Sequence, residues 1–484
     1  MEYRFLPFRF DRLNSGEIFL SNEVGEFTFI SNDDFKKLVN KELPPDSETF
    51  LNLKAKQILT NTDVDTVIEM LATKYRTKKN FLNSFTALHM VVITLRCNSN
   101  CSYCQVSKKD LTDINFDLDK STAKKIVEEI FESPSPKIKI EFQGGEPLLN
   151  FEIIKYIIEL AELKNVFKKK KLEFVICTNL TLMEEKMLKF LKGHRVYIST
   201  SIDGPKDLHI KNRPLQEIEN SFDIVIEKIK LCREYLGNDS VSALMTATSY
   251  SIGRFKEIID TYIALGFHSI FLRALNPYGF AKRDKHILAY PVDTFVENYK
   301  TGLQYIIDLN LKGSFFIEEY ANILLTRILT PFGTGYMDLQ SPAGIVINGV
   351  IYNYNGNVYV SDEGRMLAAM GDDKFLMGNV KTNTYQEIFN SDFIHSIIEN
   401  ACLESLPECS YCAYQSYCGA DPVRNYSEQG DIVGHRPTSD ACKRNKEIFK
   451  YLFELIKQDD PKINSVLWSW INRKPLNLNK HDKI

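Results

Sequence analysis

The stretch from Val91 to Gln105 reads VVITLRCNSNCSYCQ and decides the fold of the chain. An apolar, β-branched run ends abruptly in a polar loop that carries three cysteines in a C-x3-C-x2-C array. This pattern predicts a buried strand that leads into a ligand-bearing loop. The three cysteines of the loop are Cys97, Cys101 and Cys104.

Three closely spaced thiolates suit a metal cluster that keeps one position open. They can hold three irons of a four-iron, four-sulfur cluster, whereas a closed structural site uses four protein ligands. An iron without a protein ligand can bind a small molecule and take part in chemistry. Zinc binding, or three unrelated thiols, is the alternative that this spacing leaves open.

The array, with the aromatic Tyr103 directly before Cys104, resembles that of the radical S-adenosylmethionine (SAM) enzymes. The resemblance implies that the open iron chelates the amino and carboxylate groups of SAM. An electron from the cluster then breaks a carbon–sulfur bond, and the resulting 5′-deoxyadenosyl radical abstracts a hydrogen atom. Tyr103 is accordingly assigned to the cofactor site.

The composition is that of an ordinary globular protein. The chain has 484 residues, of which 44% are hydrophobic, so it can bury cores for two or three domains. Its net charge of −3 offers no basic excess to neutralise a phosphate backbone, and we expect no nucleic acid partner. The lysines at 168–171 are interpreted as a solvated loop.

The sequence contains no apolar run of the length that crosses a membrane, and its start, MEYRFLPFRF, lacks the pattern of a signal peptide. We therefore expect a cytoplasmic protein without membrane contact. In that reducing compartment the ten cysteines favour metal or redox use over disulfides. Cys177 and Cys232 each stand alone in a strand or helix pattern and are interpreted as core residues.

Residues 1–85 are predicted to form a separate unit. Two short β-type runs, EIFLSN and EFTFIS, indicate a hairpin, and three helical patterns come after it at 33–39, 47–59 and 63–75. A hairpin with three helices is similar to the small peptide-recognition domain of peptide-modifying enzymes, which binds a leader peptide as an added strand. A structural cap on the next domain is the alternative.

From residue 86 to residue 335, strand and helix patterns alternate. Such alternation predicts an α/β fold with a parallel sheet and right-handed crossovers, and six repeats predict a partial (β/α)6 TIM barrel. Ligands of such barrels lie at the carboxyl ends of the strands. The six strand patterns are VVITLR, KIKIEFQ, LEFVICTN, VYISTSID, SVSALMTAT and SIFLRAL.

Residues at the ends of these strands are candidates for the SAM site. Glycines there allow a close backbone approach, and a carboxylate can take an amino group. The end of the second strand resembles the GGE motif of the family, which implies that it binds the methionine amino end of SAM. Its candidate residues are Gln143, Gly144, Gly145 and Glu146. At the end of the third strand, Leu180 replaces the glycine of the family's TNG.

The fourth strand runs into STSIDGP, and Arg213 comes shortly after it. A hydroxyl at a strand end can bond a ribose, and an arginine fork suits a carboxylate. The segment resembles the SxDGP…R pattern of anaerobic sulfatase maturases, which assigns Ser201 to the ribose and Arg213 to the methionine carboxylate. An ordinary surface ion pair is the alternative for Arg213. In the sixth strand, Leu275 matches the family position that contacts adenine, while Arg273 and Tyr278 are candidates for substrate contact.

Four cysteines in the last quarter of the chain form a second array, C-x2-C-x5-C with a distant fourth thiol. They can close around an iron–sulfur cluster or around zinc, and spacing alone does not choose between these metals. The array resembles the SPASM extension of radical SAM enzymes, where it holds an auxiliary four-iron, four-sulfur cluster with roles in electron transfer and fold stability. Its ligands here are Cys409, Cys412, Cys418 and Cys442.

The second auxiliary site of the full SPASM pattern is degenerate in this chain. The hairpin that bears its ligands is recognisable in residues 341–365, but its upstream arm has no cysteine. Ser361 and Pro422 stand where the family has cysteines. Cys402 is the remaining thiol and is interpreted as a relic or a core residue. We therefore predict two clusters, one for SAM and one auxiliary.

Segments along nearly the whole length resemble one subgroup, the radical SAM maturases of the His-Xaa-Ser system. They are LPFRFDRLNSGEIFLSNEVGEF, LNPYGFA, GNVYVSDEGRM, CSYCAYQSYCGADPV and GHRPTSDAC. This resemblance implies modification of a ribosomal precursor peptide, with a second radical SAM maturase and an external electron donor as further partners. The expected enzyme is an oxidoreductase that crosslinks or oxidises the peptide, and no residue is identified as its catalytic base.

Two other functions stay open. One is the oxidation of a single Ser or Cys in a protein, as in the sulfatase maturases. The other is a non-catalytic partner that binds the peptide and a second maturase. The predicted organisation is a peptide-recognition-like domain (1–85), a radical SAM barrel (86–335), a SPASM-like domain (336–450) and a C-terminal helix and tail (451–484).

Overall fold

The first eighty residues fold around a small core of their own. The structure, a computed structural model, describes residues 3–216 and 218–476. Its first elements are strands β1 (Arg4–Phe5), β2 (Phe8–Arg12), β3 (Ile18–Asn22) and β4 (Phe27–Ile30), helices α1 (Asn32–Val39) and α2 (Glu48–Ala55), strand β5 (Leu59–Thr60) and helix α3 (Val64–Lys78).

Three of these strands form an antiparallel sheet in the order β2-β3-β4. The pairing of β3 with β4 confirms the predicted hairpin, whereas β2 is a strand that was not predicted from the sequence. β3 is buried along its whole length because its two faces meet different cores. Ile18 and Leu20 face the small N-terminal core, and Phe19 packs into the main core of the protein.

The second part of the chain alternates strands with helices, as predicted. Five strands pair in parallel in the order β10-β9-β8-β7-β6. The strands are β6 (Leu88–Thr94), β7 (Lys137–Gly144), β8 (Lys171–Cys177), β9 (Val196–Ser201) and β10 (Val241–Leu244). The helices are α4 (Lys120–Ile130), α5 (Phe151–Lys168), α6 (Glu185–Gly193), α7 (Lys206–Asn212), α8 (Ser221–Leu236) and α9 (Phe255–Ala264).

The sixth predicted strand, SIFLRAL, is wrong in its length and pairing. Only β11 (Ser269–Ile270) forms, and it pairs in parallel with β12 (Ile317–Glu318) outside the large sheet. The amide of Leu272 donates instead to the buried Glu318 carboxylate (3.0 Å). A side-chain oxygen therefore replaces the carbonyl of a neighbouring strand as the acceptor. Further on, the amide of Ala247 donates to the carbonyl of Arg273 (2.8 Å), which keeps this segment beside the end of β10.

The remaining elements extend the large sheet and cover it. β13 (Gly349–Tyr352) pairs in parallel with β6. Its antiparallel pairing with β14 (Asn357–Tyr359) confirms the predicted hairpin. With β15, the sheet has eight strands among the described residues. The helices and strands are α10 (Gly279–Arg283), α11 (Lys285–Leu288), α12 (Val292–Leu311), α13 (Glu319–Leu329), β13 (Gly349–Tyr352), β14 (Asn357–Tyr359), α14 (Asp362–Ala368), β15 (Leu376–Asn379), α15 (Tyr385–Phe389), α16 (Asp392–Glu399), α17 (Pro422–Gln429), α18 (Asp440–Lys457) and α19 (Pro461–Ile471).

The last predicted segment, 451–484, begins inside α18 and contains α19. The final part of its tail, 477–484, lies outside the described residues. None of the helices in 3–216 and 218–476 combines the length and the apolar character needed to span a bilayer.

Candidate functional site

The three cysteines of the first array lie in one loop at the carboxyl end of β6. Cys97 is buried, and its Sγ accepts a hydrogen bond from the amide of Ser99 (3.4 Å). Burial raises the pKa of Cys97, and the nearby Cys101 and Cys104 raise it further, because thiolates at all three positions would repel one another. The structure therefore brings these three side chains together.

Hydrogen bonds from two neighbouring segments hold this loop. The amides of Asn100 and Ser102 donate to carbonyls in the segment 212–214 (2.7 and 3.0 Å). On the other side, Nδ2 of Asn179 donates to Oδ1 of Asn98 (2.8 Å). The ends of β8 and α7 thus fix the loop's conformation through protein contacts alone.

Gly144 and Gly145 bring the end of β7 against the end of β6. A Cβ atom at Gly145 would lie 2.2 Å from the carbonyl oxygen of Arg96, and one at Gly144 would lie 2.1 Å from that of Thr94. From the sequence, these glycines were expected to admit a ligand. In the structure, the close approach that they permit is to the backbone that precedes Cys97.

We expect Gly145→Ala to lower the rate of 5′-deoxyadenosine formation by about 100-fold, since a shift of about 1 Å in a reactive geometry has effects of that size. The added Cβ would also lie 2.6 Å from the carbonyl oxygen of Leu95, so two backbone atoms, which cannot rotate away, must move with the cysteine loop. The measurement is 5′-deoxyadenosine released from SAM under reducing, anaerobic conditions.

Gly193→Ala is the matched control, because that glycine lies at the end of α6 with nothing within 4 Å of an added Cβ. It should leave the rate unchanged. An unchanged rate in Gly145→Ala as well would show that the contact between β7 and β6 does not matter for the site.

Glu146 is wholly buried, and both of its carboxylate oxygens accept hydrogen bonds from the protein. Oε1 accepts from Thr178 Oγ1 (2.7 Å) and Oε2 from the amide of Asn179 (2.8 Å). Burial raises the pKa of Glu146 to about 7, and these hydrogen bonds oppose the rise. The carboxylate predicted to take the amino group of SAM thus also ties the end of β7 to the end of β8.

Gln143 supplies a hydrogen-bond donor without a protein partner. Its Nε2 is buried and makes no hydrogen bond to any residue that the structure describes. Leaving such a group unpaired is costly, so an acceptor on a ligand fits this position. Gln143 is the second-to-last residue of β7, directly before Gly144, which places the donor at the carboxyl end of the sheet.

Tyr103 and Arg213 meet at Asp203, which is fully buried. The Tyr103 hydroxyl donates to Oδ2 of Asp203 (2.7 Å), and Nε of Arg213 donates to the same oxygen (3.1 Å). The guanidinium of Arg213 lies 5.1 Å from the centroid of the Tyr103 ring. Arg213 therefore forms a buried ion pair, which differs from the surface ion pair that was the alternative role for this residue.

This pair leaves part of Arg213 available. Only its Nε is used by Asp203, while Nη1 and Nη2 make no hydrogen bond within the described ranges. Burial raises the pKa of Cys101 to about 11, and the positive charge of Arg213 opposes that rise, so the guanidinium lies beside the thiol. Two donors next to the cysteine loop fit a carboxylate ligand.

The residues predicted to bind the adenosine part of SAM follow or end strands at the same end of the sheet as the cysteine loop. Leu275 and Tyr103 belong to one apolar cluster with Ala281 and Leu288. The amide of Leu275 donates to the Tyr290 hydroxyl (2.8 Å), which fixes its backbone. Ser201 is half-buried at the end of β9, where the sequence placed it.

The four cysteines of the second array also converge. Burial, together with repulsion from the other three thiols, raises the pKa of Cys418 to about 12. Cys409, Cys418 and Cys442 line a cavity of about 80 Å³ together with Arg436. Burial raises the pKa of Cys409 to about 11, and the charge of Arg436 opposes that rise.

No three Cys, His, Asp or Glu side chains in the part of the chain that the structure describes surround one point closely enough to bind a single metal ion. A four-iron cluster has no such requirement, since each of its irons takes one protein thiolate. Both sets of cysteines are therefore compatible with clusters.

The residues predicted to mark a degenerate auxiliary site have structural roles in this chain. Ser361 caps the N-terminus of α14, and Pro422 is the first residue of α17. The Ser341 hydroxyl donates to the carboxylate of Glu404. Cys402 is half-buried, and its Sγ donates to a carbonyl one turn earlier in the chain (3.4 Å).

Three carboxyl groups that were not singled out from the sequence adjoin this degenerate site. Burial raises the pKa of both Glu363 and Asp421, and repulsion from neighbouring carboxylates contributes to each rise, from Glu363 at Asp421 and from Asp338 at both. The buried Tyr278 hydroxyl lies near Asp421 and Glu363 and has no partner among the described residues. The available sequence signal was an acidic residue close to each of two predicted cysteine-replacement positions, since Glu363 lies two residues after Ser361 and Asp421 directly precedes Pro422.

Asp203 is the other missed residue. It stands in the quoted STSIDGP segment, but only Ser201 and Arg213 were singled out there. The available signal was an acidic residue at a strand end, just before a Gly-Pro turn and ten residues before an arginine.

Comparisons with known proteins agree with this geometry. Residues 91–264 match the family model of the radical SAM superfamily. The chain is 25% identical over 374 residues to a cysteine-type anaerobic sulfatase-maturating enzyme of Clostridium perfringens, which covers 74% of this chain and 93% of the relative.

Two solved structures share the fold. Native anSMEcpe with bound AdoMet has a TM-score of 0.64 at 21% identity, and covers 79% of this chain and 99% of its own. Streptococcus suis SuiB bound to precursor peptide SuiA has a TM-score of 0.51 at 13% identity, and covers 90% of this chain and 99% of its own. Residues 91–264 therefore form a radical SAM domain, and the chain is an enzyme whose cofactors are a four-iron, four-sulfur cluster and S-adenosylmethionine.

Proposed function

We propose that the enzyme is a maturase that crosslinks or oxidises a ribosomally made peptide. The observation that carries this proposal is the buried group of Asp203, Tyr103 and Arg213 beside Cys101. It offers two free guanidinium donors and an apolar wall next to a loop of three thiols. That combination suits a cofactor with a carboxylate at one end and an aromatic base at the other.

Three thiols hold the cluster in this proposal, namely Cys97, Cys101 and Cys104. When bound, the cluster gives one electron to SAM, which yields a 5′-deoxyadenosyl radical able to take a hydrogen atom from the peptide. Arg213 binds the methionine carboxylate through Nη1 and Nη2. Gln143 donates a hydrogen bond from its Nε2 to an acceptor on the cofactor. Asp203 positions both Tyr103 and Arg213.

Three further residues bind the rest of the cofactor. Ser201 bonds the ribose, and Leu275 contacts the adenine from the apolar cluster that it shares with Tyr103. The GGE segment, 144–146, binds the methionine amino group. Burial of this mouth excludes water, which would otherwise quench a radical intermediate.

The second array holds one auxiliary four-iron, four-sulfur cluster. Its four thiols converge, and the degenerate positions offer no second set. Cys409, Cys412, Cys418 and Cys442 would ligate this cluster fully, and when bound it would supply electron transfer between the site and an external electron donor or acceptor. A paired second radical SAM maturase of the His-Xaa-Ser kind completes the proposed system, which acts in the cytoplasm.

The proposed domains keep the predicted boundaries, 1–85, 86–335, 336–450 and 451–484. The separate core of the N-terminal part supports the first, and we infer that β4, an edge strand of its sheet, pairs with the leader of the peptide. The bond between Ala247 and Arg273 supports an open (β/α)6 barrel completed by the segment after β11.

The test is coexpression with small peptides encoded beside the gene, followed by mass spectrometry. Crosslinking predicts the loss of two hydrogen atoms per bond and a product without a reactive carbonyl. Oxidation of a single Ser or Cys, the second candidate, predicts a carbonyl that reacts with a hydrazide. The match to 93% of a sulfatase-maturating relative favours this second candidate.

A non-catalytic partner is the remaining alternative. It predicts peptide binding without 5′-deoxyadenosine when the purified protein is incubated anaerobically with SAM and a reductant. That result would reject the maturase proposal.

A further inference from the structure

A large cleft lies at the opposite end of the parallel sheet from the cysteine loop. Its volume is about 850 Å³, and the lining includes the end of α3, the loop 331–341 and the segment 415–416. Lys137, the first residue of β7, also lines it. Since β6 and β7 run in parallel and the cysteines come after the last residue of β6, the two sites lie at opposite strand ends.

The cleft is strongly cationic. Its two carboxylates, Glu23 and Glu404, are already paired with Arg9 (2.9 Å) and Lys79 (2.6 Å). Apart from Lys79, none of its cations forms an ion pair with a described residue. The cationic side chains are Arg76, Lys78, Lys79, Lys137 and Arg327.

Two amide groups in the same lining lack partners. Gln340 and Gln415 are each 4% exposed, and the Nε2 atom of each makes no hydrogen bond within 3–216 and 218–476. An unpaired buried amide donor is costly, so both groups indicate a ligand that brings hydrogen-bond acceptors. This observation is independent of the charges and points to the same class of ligand.

We propose that this cleft binds an acidic segment of the peptide substrate, with Asp or Glu carboxylates at its lysines and arginines. The inference rests on the proposed function and adds the chemical class of the recognition segment. The positive charge of the cleft favours an anion. Its volume favours a peptide, since a single phosphate would fill only a small part of it. Because the cysteine loop lies at the other end of the sheet, the bound segment is one that docks the peptide and is not itself modified.

Lys78 shows the positive potential of the cleft. Burial and the positive charges of Arg327 and Lys79 lower the pKa of Lys78 to about 7, and the carboxylate of Glu26 opposes this decrease. Its Nζ donates to the carbonyl of Val24 (3.1 Å) and lies 5.2 Å from the centroid of the Tyr417 ring. Bound carboxylates would raise this pKa, so binding takes up a proton. The affinity should therefore fall as the pH rises from 7 to the higher pKa of the complex.

The experiment measures fluorescence anisotropy of a labelled ten-residue peptide of Asp, Glu and Gly with the reconstituted full chain. The comparison peptide carries Asn and Gln in place of Asp and Glu. We expect the acidic peptide to bind about tenfold more tightly, a difference that shrinks with added salt. Arg76→Gln combined with Lys137→Gln, both at exposed positions, should remove most of that difference.

Lys192→Gln combined with Lys230→Gln is the matched control, because these exposed lysines lie on α6 and α8, outside the cleft. It should bind the acidic peptide like the wild type. Equal affinity for the two peptides, or no effect of the cleft variant, would overturn the inference. So would equally strong competition by inorganic phosphate or by an RNA oligonucleotide.

Failure here can be separated from failure of the proposed function. Wild-type protein that forms 5′-deoxyadenosine but binds both peptides equally would refute the acidic cleft and leave the maturase proposal intact. Protein that binds the acidic peptide but forms no 5′-deoxyadenosine would refute the maturase proposal instead.

Discussion

Cys97→Ala is expected to form no 5′-deoxyadenosine and to keep about half of the iron of the wild type. Cys97 is one of only three thiols in the first loop, so its loss leaves two ligands for the SAM-binding cluster. The second array lies in a different part of the fold and should keep its own cluster. On this basis the wild type should hold about eight irons per chain and the variant about four.

Iron analysis and product formation together check this expectation. Cys412→Ala is the complementary variant, and it should lose the other half of the iron while the first cluster stays bound. Cys402→Ala is the control, because that half-buried thiol bonds a carbonyl of its own helix turn, and its iron content should not change. Continued formation of 5′-deoxyadenosine by Cys97→Ala would refute the assignment of the first site.

Asp203→Asn is expected to weaken SAM binding by tenfold or more and to lower stability by about 3 kcal/mol, the cost of removing one partner from a buried ion pair. The carboxylate accepts hydrogen bonds from Tyr103 and Arg213, and no part of it is exposed. Without its charge, the guanidinium stays buried beside Cys101 without a counter-ion. Arg213 then turns away from the position that a cofactor carboxylate needs.

The effect on affinity must be separated from the effect on stability. Isothermal titration with SAM gives the first, and the thermal midpoint gives the second. Asp207→Asn is the matched control, since it removes an ion pair with Arg254 in which the Asp207 side chain is 68% exposed, and such pairs contribute about 0–1 kcal/mol. If Asp203→Asn lowers the stability but leaves the SAM affinity unchanged, Asp203 has a structural role only.

The parallel strands were predictable because the evidence for them is local. β6 to β9 each coincide with a run rich in β-branched or aromatic residues, and β10 lies in the predicted run SVSALMTAT. The cysteine loop was predictable for the same reason, since its three ligands lie within eight residues. The hairpins β3–β4 and β13–β14 likewise join strands that are close in sequence.

Features assembled from distant segments could not be predicted in this way. Asp203 accepts a hydrogen bond from Tyr103, which lies one hundred residues earlier in the chain. No local sequence pattern indicates that contact. β2 was missed although Phe8 and Phe10 alternate with charged residues, because a run of five residues with only two apolar side chains is too short to separate a strand from a loop. The cationic cleft combines side chains from 76 to 327, and the positions of lysines and arginines along the chain do not show that they meet.

Leu180 shows how a local departure is tolerated. A leucine stands where the family has glycine, and this residue has a φ of 65°, a left-handed conformation that favours glycine. The strain costs about 1–2 kcal/mol. The side chain is completely buried in the main core, which contributes about 2 kcal/mol and offsets that strain.

The parallel pairing of β13 with β6 joins the parallel sheet to the C-terminal third of the chain. β6 ends in the cysteine loop, and one of its two edges is covered by β13 and the other by β7. A shortened protein that stopped before residue 336 would leave one side of β6 with unsatisfied amides and carbonyls, open to pairing with another chain. Attempts to isolate a minimal catalytic fragment at that boundary should therefore give aggregates, and grafting experiments need to carry residues 349–359 along with the barrel.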